Sequence, residues 1–148
     1  MTTIAYCRKE NKIAHDSRTT SGSLVISDCS EKIVRHGDSI SFMCGSVPDY
    51  DDFNSNFENG KKSERVFDVE SITITGGKVF LRSFDPTDMT FWQVEILSNR
   101  AIGSGMMSAF TAMSMGCTAE DAVKVACELD VYSGGEVKVF DVKAMEYV

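Results

Sequence analysis

The sequence lacks the features that are typical of interdomain linkers, membrane spans and secretion signals. Its two Pro and eleven Gly do not gather into a linker, so residues 1–148 are predicted to form one domain. No apolar run approaches the ~20 residues that span a bilayer, and no basic-then-apolar signal segment opens the chain. These absences predict a cytoplasmic protein with no membrane partner.

The spacing of the cysteines and the excess of acidic over basic residues exclude further classes of protein. The five cysteines are an odd set without C-x-x-C spacing, so neither a disulfide framework nor a zinc site is indicated. Asp49, Asp51 and Asp52 follow Pro48 and are more simply a helix first turn than a metal site. We therefore predict no metal and no other cofactor. The net charge of −7 argues against a nucleic-acid partner.

The hydrophobic periodicity predicts strands in most of the chain. Thr2 to Cys7 and Lys12 to Ala14 are predicted to pair as a hairpin, so the N-terminus lies inside a sheet. Gly76-Gly77 joins a second predicted hairpin, because two glycines accept the positive φ of a tight turn. The other predicted strands are 23–27, 32–35, 39–44, 89–97 and 136–141, and the second hairpin pairs 71–75 with 78–82.

Three helices are predicted. The first runs from Pro48 to about Glu58. The second, 106–115, is nearly all apolar, is closed by Gly116, and is expected to be buried. The third starts at the capping residue Thr118 and ends near Asp130. The predicted order is strands, one helix, further strands, two helices and a last strand. This order predicts an α+β sandwich.

Several motifs could carry chemistry, although each alone has a simpler interpretation. Asp16-Ser-Arg18 is most simply a solvated turn, Lys32 a surface lysine and Gly103-Ser-Gly105 a tight loop. His15 and His36 have no evident Ser or Cys partner and are interpreted as strand and turn residues. The G-x-S-x-G elbow of α/β-hydrolases is absent.

The order of these motifs is more specific than any one of them. Thr2-Thr-Ile, Asp16-Ser-Arg-Thr-Thr-Ser-Gly22, Lys32, Gly103-Ser-Gly105 and Asp130-Val-Tyr-Ser-Gly-Gly135 follow one another along nearly the whole chain. In this order they resemble the proteasome β-subunits and their bacterial relative HslV. The resemblance implies a four-layer αββα sandwich of the N-terminal nucleophile (Ntn) hydrolases and a threonine-type peptidase or amidohydrolase.

The resemblance also assigns roles to individual residues. Thr2 would be the nucleophile and its own α-amine the base, once Met1 is removed, because an acylated nitrogen has no basic lone pair. Thr is small enough for methionine aminopeptidase to remove Met1. Lys32 would lower the pKa of the Thr2 groups, Asp16 would pair with Lys32, and Gly45 would donate its N–H to the oxyanion. Ser104, Asp130 and Ser133 would support the Thr2 amine.

Substrate and partners follow from the same resemblance. An apolar substrate pocket would involve Thr19, Thr20, Met43 and Val47. The family implies peptide substrates, a ring of identical subunits and an ATPase unfoldase as partner. The segment between Gly45 and Ser71 is shorter than in relatives, and so compact a chain suits a bacterial virus or mobile element.

Two alternatives stay open at this point. One is an Ntn amidohydrolase that acts on a small amide. The other is a catalytically silent assembly or virion component that keeps the fold, which retention of Met1 would favour.

Overall fold

The computed structural model describes residues Thr2 to Val148, so the predicted removal of Met1 falls outside the described residues. The strands are β1 Thr3–Cys7, β2 Lys12–His15, β3 Thr19–Ser21, β4 Leu24–Ser27, β5 Ile33–His36, β6 Ser39–Gly45, β7 Val69–Thr75, β8 Lys78–Asp85, β9 Thr90–Glu95, β10 Arg100–Gly103, β11 Lys138–Asp141 and β12 Glu146–Tyr147. The helices are α1 Tyr50–Asn56, α2 Met106–Ser114 and α3 Ala119–Leu129.

The chain forms two compact units. The first contains the residues up to Lys32 together with Leu97–Val148, and the second contains Ile33–Ile96. That residues 1–148 act as a single domain stays a prediction. None of the helices in the described part of the chain is long and apolar enough to cross a membrane.

The first unit contains an antiparallel five-stranded sheet in the order β10-β1-β2-β11-β12. The hairpin of β3 and β4 follows β2 along the chain and forms a separate two-stranded sheet. The predicted hairpin of β1 and β2 is present, and its turn places Asn11 at φ 54°. Every residue of β1 is buried. Because β1 has a neighbour on each side, Thr3–Cys7 is an inner strand of the sheet.

Small side chains let α2 and α3 approach this sheet closely. The core between the helices and the sheet contains eight buried alanines and Val123. The alanines are Ala5, Ala14, Ala101, Ala109, Ala112, Ala119, Ala122 and Ala126. Thr118 caps α3 as predicted, since its side chain accepts the amide hydrogen of Asp121 at 3.1 Å. The alanine face therefore holds α3 at short distance from β1 and β2.

The prediction that the apolar helix α2 is buried is wrong for most of its length. Ala109, Ala112 and Met113 are buried, whereas Met107 is 71% exposed and Phe110 is 47% exposed. A helix that packs on one side of a sheet can bury only one stripe of its surface. The apolar composition of α2 exceeds what that stripe needs, so an apolar outer face remains in this chain.

The second unit is an antiparallel meander in the order β5-β6-β7-β8-β9. The predicted turn at Gly76-Gly77 joins β7 and β8, with both φ angles positive (57° and 74°). Its core is aromatic, and contains Phe53, Phe67, Phe84 and Phe91 together with Met43. Helix α1 follows a short 3₁₀ turn and ends at Asn56, two residues before the predicted end.

Candidate active site

Thr2 directly precedes β1 and is buried, with 2% of its surface exposed. Its Oγ1 donates a hydrogen bond to Oδ1 of Asp16. The pairing of β1 with β2 produces this contact, because Ile4 lies opposite His15 and the next amide, that of Asp16, donates to the Thr3 carbonyl oxygen at 3.1 Å. The sheet register alone therefore brings the Asp16 carboxyl group to Thr2.

The Asp16 carboxyl group is fully buried and is held by several donors. The Thr3 amide donates to Oδ1 at 3.0 Å, and the amides of Gly134 and Arg18 donate to Oδ2 at 3.0 and 3.3 Å. A buried carboxylate needs such donors to replace its lost hydration. The backbone thus fixes Asp16 on two sides, and the Thr2 hydroxyl is a side-chain donor to it.

Lys32 is buried in the same unit, with 6% of its surface exposed. Its ammonium group donates to the carbonyl oxygen of Arg18, which lies two residues after Asp16. The charge of Lys32 also helps to lower the pKa of His15, although burial is the larger cause of that shift. The predicted pairing of Lys32 with Asp16 stays a prediction.

Ser104, Asp130 and Ser133 meet beside the Thr2–Thr3 backbone. The Ser104 hydroxyl donates to Oδ2 of Asp130 at 2.5 Å and lies 3.3 Å from the Thr2 carbonyl oxygen. Ser133 donates to the same Oδ2 at 2.7 Å. Because that bond uses the Ser133 proton, the Thr3 hydroxyl, at 2.6 Å, donates to Ser133. The network anchors the first two described residues to three side chains.

Thr3 takes part in this site although it is not among the predicted residues. The Thr-Thr pair in the opening motif is the signal that could have identified it. Two glycines leave room for this pair: a Cβ on Gly103 would lie 2.0 Å from the Thr2 carbonyl oxygen, and one on Gly105 would lie 2.0 Å from Thr3 Oγ1. Gly103 and Gly105 are therefore required by close packing at this point.

Arg18 holds the loop that contains Gly134. Its guanidinium group makes two bonds to the Asp28 carboxylate, at 2.7 and 3.0 Å, and donates to the Val131 carbonyl oxygen at 3.2 Å. The bond to Asp28 raises the pKa of Arg18, and the bond from Arg18 lowers the pKa of Asp28. A Cβ on Gly134 would lie 2.5 Å from the centre of the guanidinium group. Gly134 therefore lets Arg18 lie flat against the loop whose amide binds Asp16.

The predicted substrate residues fall in both units. Thr19 and Thr20 lie half-buried in β3, where the Thr19 hydroxyl donates to Ser30 Oγ at 2.7 Å. Met43 is fully buried in the core of the second unit, and Val47 is 56% exposed. Their part in a substrate pocket stays a prediction.

Gly45 ends β6, also in the second unit, with φ at 111°. A Cβ there would lie 2.1 Å from the Asp68 carbonyl oxygen, so the backbone itself requires glycine. The predicted oxyanion role of its N–H stays a prediction. The nearby Asp49 and Asp52, considered as a metal site from the sequence, form ion pairs with Arg65.

Solved structures supply the comparison. The chain is similar to HslV from Trypanosoma brucei, at a TM-score of 0.70 and 20% identity, over 95% of this chain and 99% of that chain. The chain has the HslV fold. It is also similar to BPH from Thiobacillus denitrificans, at a TM-score of 0.68 and 23% identity, over 94% of this chain and 96% of that one.

A second structure of the same BPH, in complex with epoxomicin, gives a TM-score of 0.68 at 21% identity. No protein-family model and no curated protein sequence matches the chain. The predicted α+β class and the likeness to HslV are therefore confirmed at the level of the fold.

Proposed function

We propose that the chain is a threonine-type peptidase or amidohydrolase of the HslV kind. One observation carries the proposal: the hydroxyl of Thr2, directly before the inner strand β1, is hydrogen-bonded to the fully buried carboxyl group of Asp16. A hydroxyl held in one orientation beside a fixed acceptor is a prepared nucleophile. The HslV fold supports the same reaction class.

The proposed reaction begins after Met1 has been removed. Thr2 Oγ1 attacks the substrate carbonyl carbon while the free α-amine of Thr2 takes the hydroxyl proton. The amine then returns the proton to the leaving amine, and an ester on Thr2 remains. Water, deprotonated by the same amine, hydrolyses that ester.

The surrounding residues would support each step. Asp16 orients the Thr2 hydroxyl, and the buried positive charge of Lys32 favours the unprotonated amine. Ser104 and Asp130 keep the Thr2 backbone in place. In this proposal the N–H of Gly45 stabilises the oxyanion.

The proposal includes assembly and substrate. We infer a ring of identical subunits that acts on peptides with apolar side chains on the acyl side of the cleaved bond, and an ATPase unfoldase as partner. The outer face of α2, which includes Met107 and Phe110, is an uncovered apolar surface of this chain, and such surfaces commonly mark protein contacts. Light scattering at micromolar concentration tests the assembly, and a strictly monomeric enzyme with full activity would favour the small-amide alternative.

The decisive experiment combines an intact-mass measurement of the protein with an assay of peptide turnover. Intact mass establishes that Met1 is absent, and fluorogenic peptides then measure turnover in the wild type, Thr2→Ala and Thr2→Ser. We expect no activity above background in Thr2→Ala and partial activity in Thr2→Ser, because only serine keeps an attacking oxygen. Thr75→Ala is the matched control, since Thr75 is a half-buried threonine at the end of β7.

Two results would overturn the proposal. Full turnover by Thr2→Ala would remove Thr2 from the mechanism. A native protein that keeps Met1 and hydrolyses no peptide would favour the silent assembly component instead.

A further inference from the structure

A buried histidine lies directly behind the candidate nucleophile site. His15 is the last residue of β2, immediately before Asp16, and is fully buried. Its Nδ1 lies 2.7 Å from the carbonyl oxygen of Asp16, and its Nε2 lies 2.9 Å from the hydroxyl of Tyr147. The ring therefore bridges the active-site strand and the penultimate residue of the chain.

Tyr147 is held in place for this contact. It lies on the edge strand β12 opposite Phe140, and the two rings pack edge to face at 5.4 Å. Its hydroxyl also lies 3.5 Å from Oε2 of Glu31, whose carboxylate binds the Lys138 ammonium at 2.7 Å. A chain of polar contacts thus runs from the exposed Glu31 to the buried backbone of Asp16.

The chemistry of the acceptors fixes the proton positions. A carbonyl oxygen only accepts, so Nδ1 of His15 carries a proton and donates to Asp16. In the neutral ring Nε2 then accepts from the Tyr147 hydroxyl, which is closer to it than to Glu31. Burial lowers the pKa of His15 and favours this neutral form; the facing charges of Asp16 and Glu31 act in the opposite direction, and that of Lys32 in the same direction.

We propose that His15 and Tyr147 are positioning residues for Asp16, so that the C-terminal strand helps to set the geometry of the nucleophile. The inference rests on the proposed function of Thr2. Two bonds hold the Asp16 backbone: its amide donates to the Thr3 carbonyl oxygen at 3.1 Å, and its carbonyl oxygen accepts from His15. Loss of the second bond allows the residue to turn, which moves its carboxyl group relative to the Thr2 hydroxyl.

Tyr147→Phe is the principal test, because it removes only the hydroxyl and keeps the ring packing on Phe140. We expect kcat to fall about 3- to 10-fold, the effect of one hydrogen bond, with KM unchanged. Tyr50→Phe is the matched control, since the Tyr50 hydroxyl donates a 3.3 Å bond to the Met43 carbonyl oxygen in the second unit. That control should keep the wild-type kcat.

Substitution of His15 separates positioning from packing. The amide nitrogen of asparagine occupies the place of Nδ1, so His15→Asn should retain the bond to Asp16 and keep more activity than His15→Leu. A readout independent of activity is hydrogen–deuterium exchange at Thr3 and Gly134, whose amides donate to Asp16. We expect faster exchange at both amides in Tyr147→Phe and none of this change in Tyr50→Phe.

The outcomes are separable from those of the proposed function. Wild-type kcat in Tyr147→Phe, or unchanged exchange at Thr3 and Gly134, overturns the inference. An inactive wild-type protein refutes the proposed function, and the exchange rates then decide the positioning role by themselves.

Discussion

Substitution of Asp16 by asparagine tests the candidate site in a way that can be worked out from its donors. Oδ1 accepts from the Thr2 hydroxyl and the Thr3 amide, and Oδ2 accepts from the amides of Arg18 and Gly134. Asparagine keeps one acceptor oxygen and replaces the other by a donor. The side chain must therefore choose which pair of donors to satisfy.

The two orientations differ in their consequences. If the amide nitrogen faces Arg18 and Gly134, two backbone N–H groups lose their acceptor. If it faces Thr2 and Thr3, only the Thr3 amide loses its acceptor, because the Thr2 hydroxyl can rotate and accept. We expect the second orientation, which reverses the hydrogen bond of the proposed nucleophile.

The expected magnitudes follow from that orientation. One buried unsatisfied donor lowers the free energy of unfolding by about 1–3 kcal/mol. Turnover should fall by orders of magnitude, because the Thr2 hydroxyl no longer donates to a carboxylate. Urea unfolding and peptide kinetics measure the two effects. Asp85→Asn is the control, since the Asp85 carboxylate also accepts backbone amides, those of Thr87 and Asp88, but lies in the second unit. If Asp16→Asn has the stability and turnover of the wild type, the assignment of Asp16 is wrong.

Two further predictions use the surroundings of the same site. Gly105→Ala should lower the free energy of unfolding by about 1–3 kcal/mol, because its Cβ would lie 2.0 Å from Thr3 Oγ1, and Thr3→Ala should restore part of the loss. Denaturant titration of the single and double variants measures this, and strictly additive effects would contradict it. Burial raises the pKa of Cys127 from its ordinary value of 9.0 to about 11. Alkylation at pH 8 should therefore be about 100-fold slower at Cys127 than for an ordinary thiol. Peptide mass mapping checks this against the exposed Cys29, and equal rates would refute it.

Local signals account for the parts of the fold that were predicted correctly. Gly76-Gly77 specifies its turn because both residues need positive φ, and Thr118 specifies a helix start through its own side chain. By contrast β10 was not predicted. Arg100–Gly103 has four residues and no alternating pattern, and it is a strand because β1 pairs with it, with Thr3 opposite Gly103. Such pairing is a property of the whole chain and leaves little local signal.

The site shows the same division. The resemblance of the motifs pointed to Thr2, Asp16 and Ser104. In the structure the side chains of Asp16 and Ser104 each form a hydrogen bond with Thr2. The amide of Gly134 was missed, since a backbone donor has no residue-type signal. The contact of His15 with Tyr147 was missed as well, because 132 residues separate the partners and no pattern in the sequence links them.

The position of β1 inside its sheet has a consequence for synthesis. Thr2 is the first described residue to leave the ribosome, yet its strand lies between β2 and β10, and the amide that completes the Asp16 cluster belongs to Gly134. Contacts between residues so far apart in sequence form late. A growing chain would therefore present the proposed nucleophile early and complete the Asp16 cluster only after residue 134 has been made. If the proposed function holds, this order limits hydrolysis by incomplete chains.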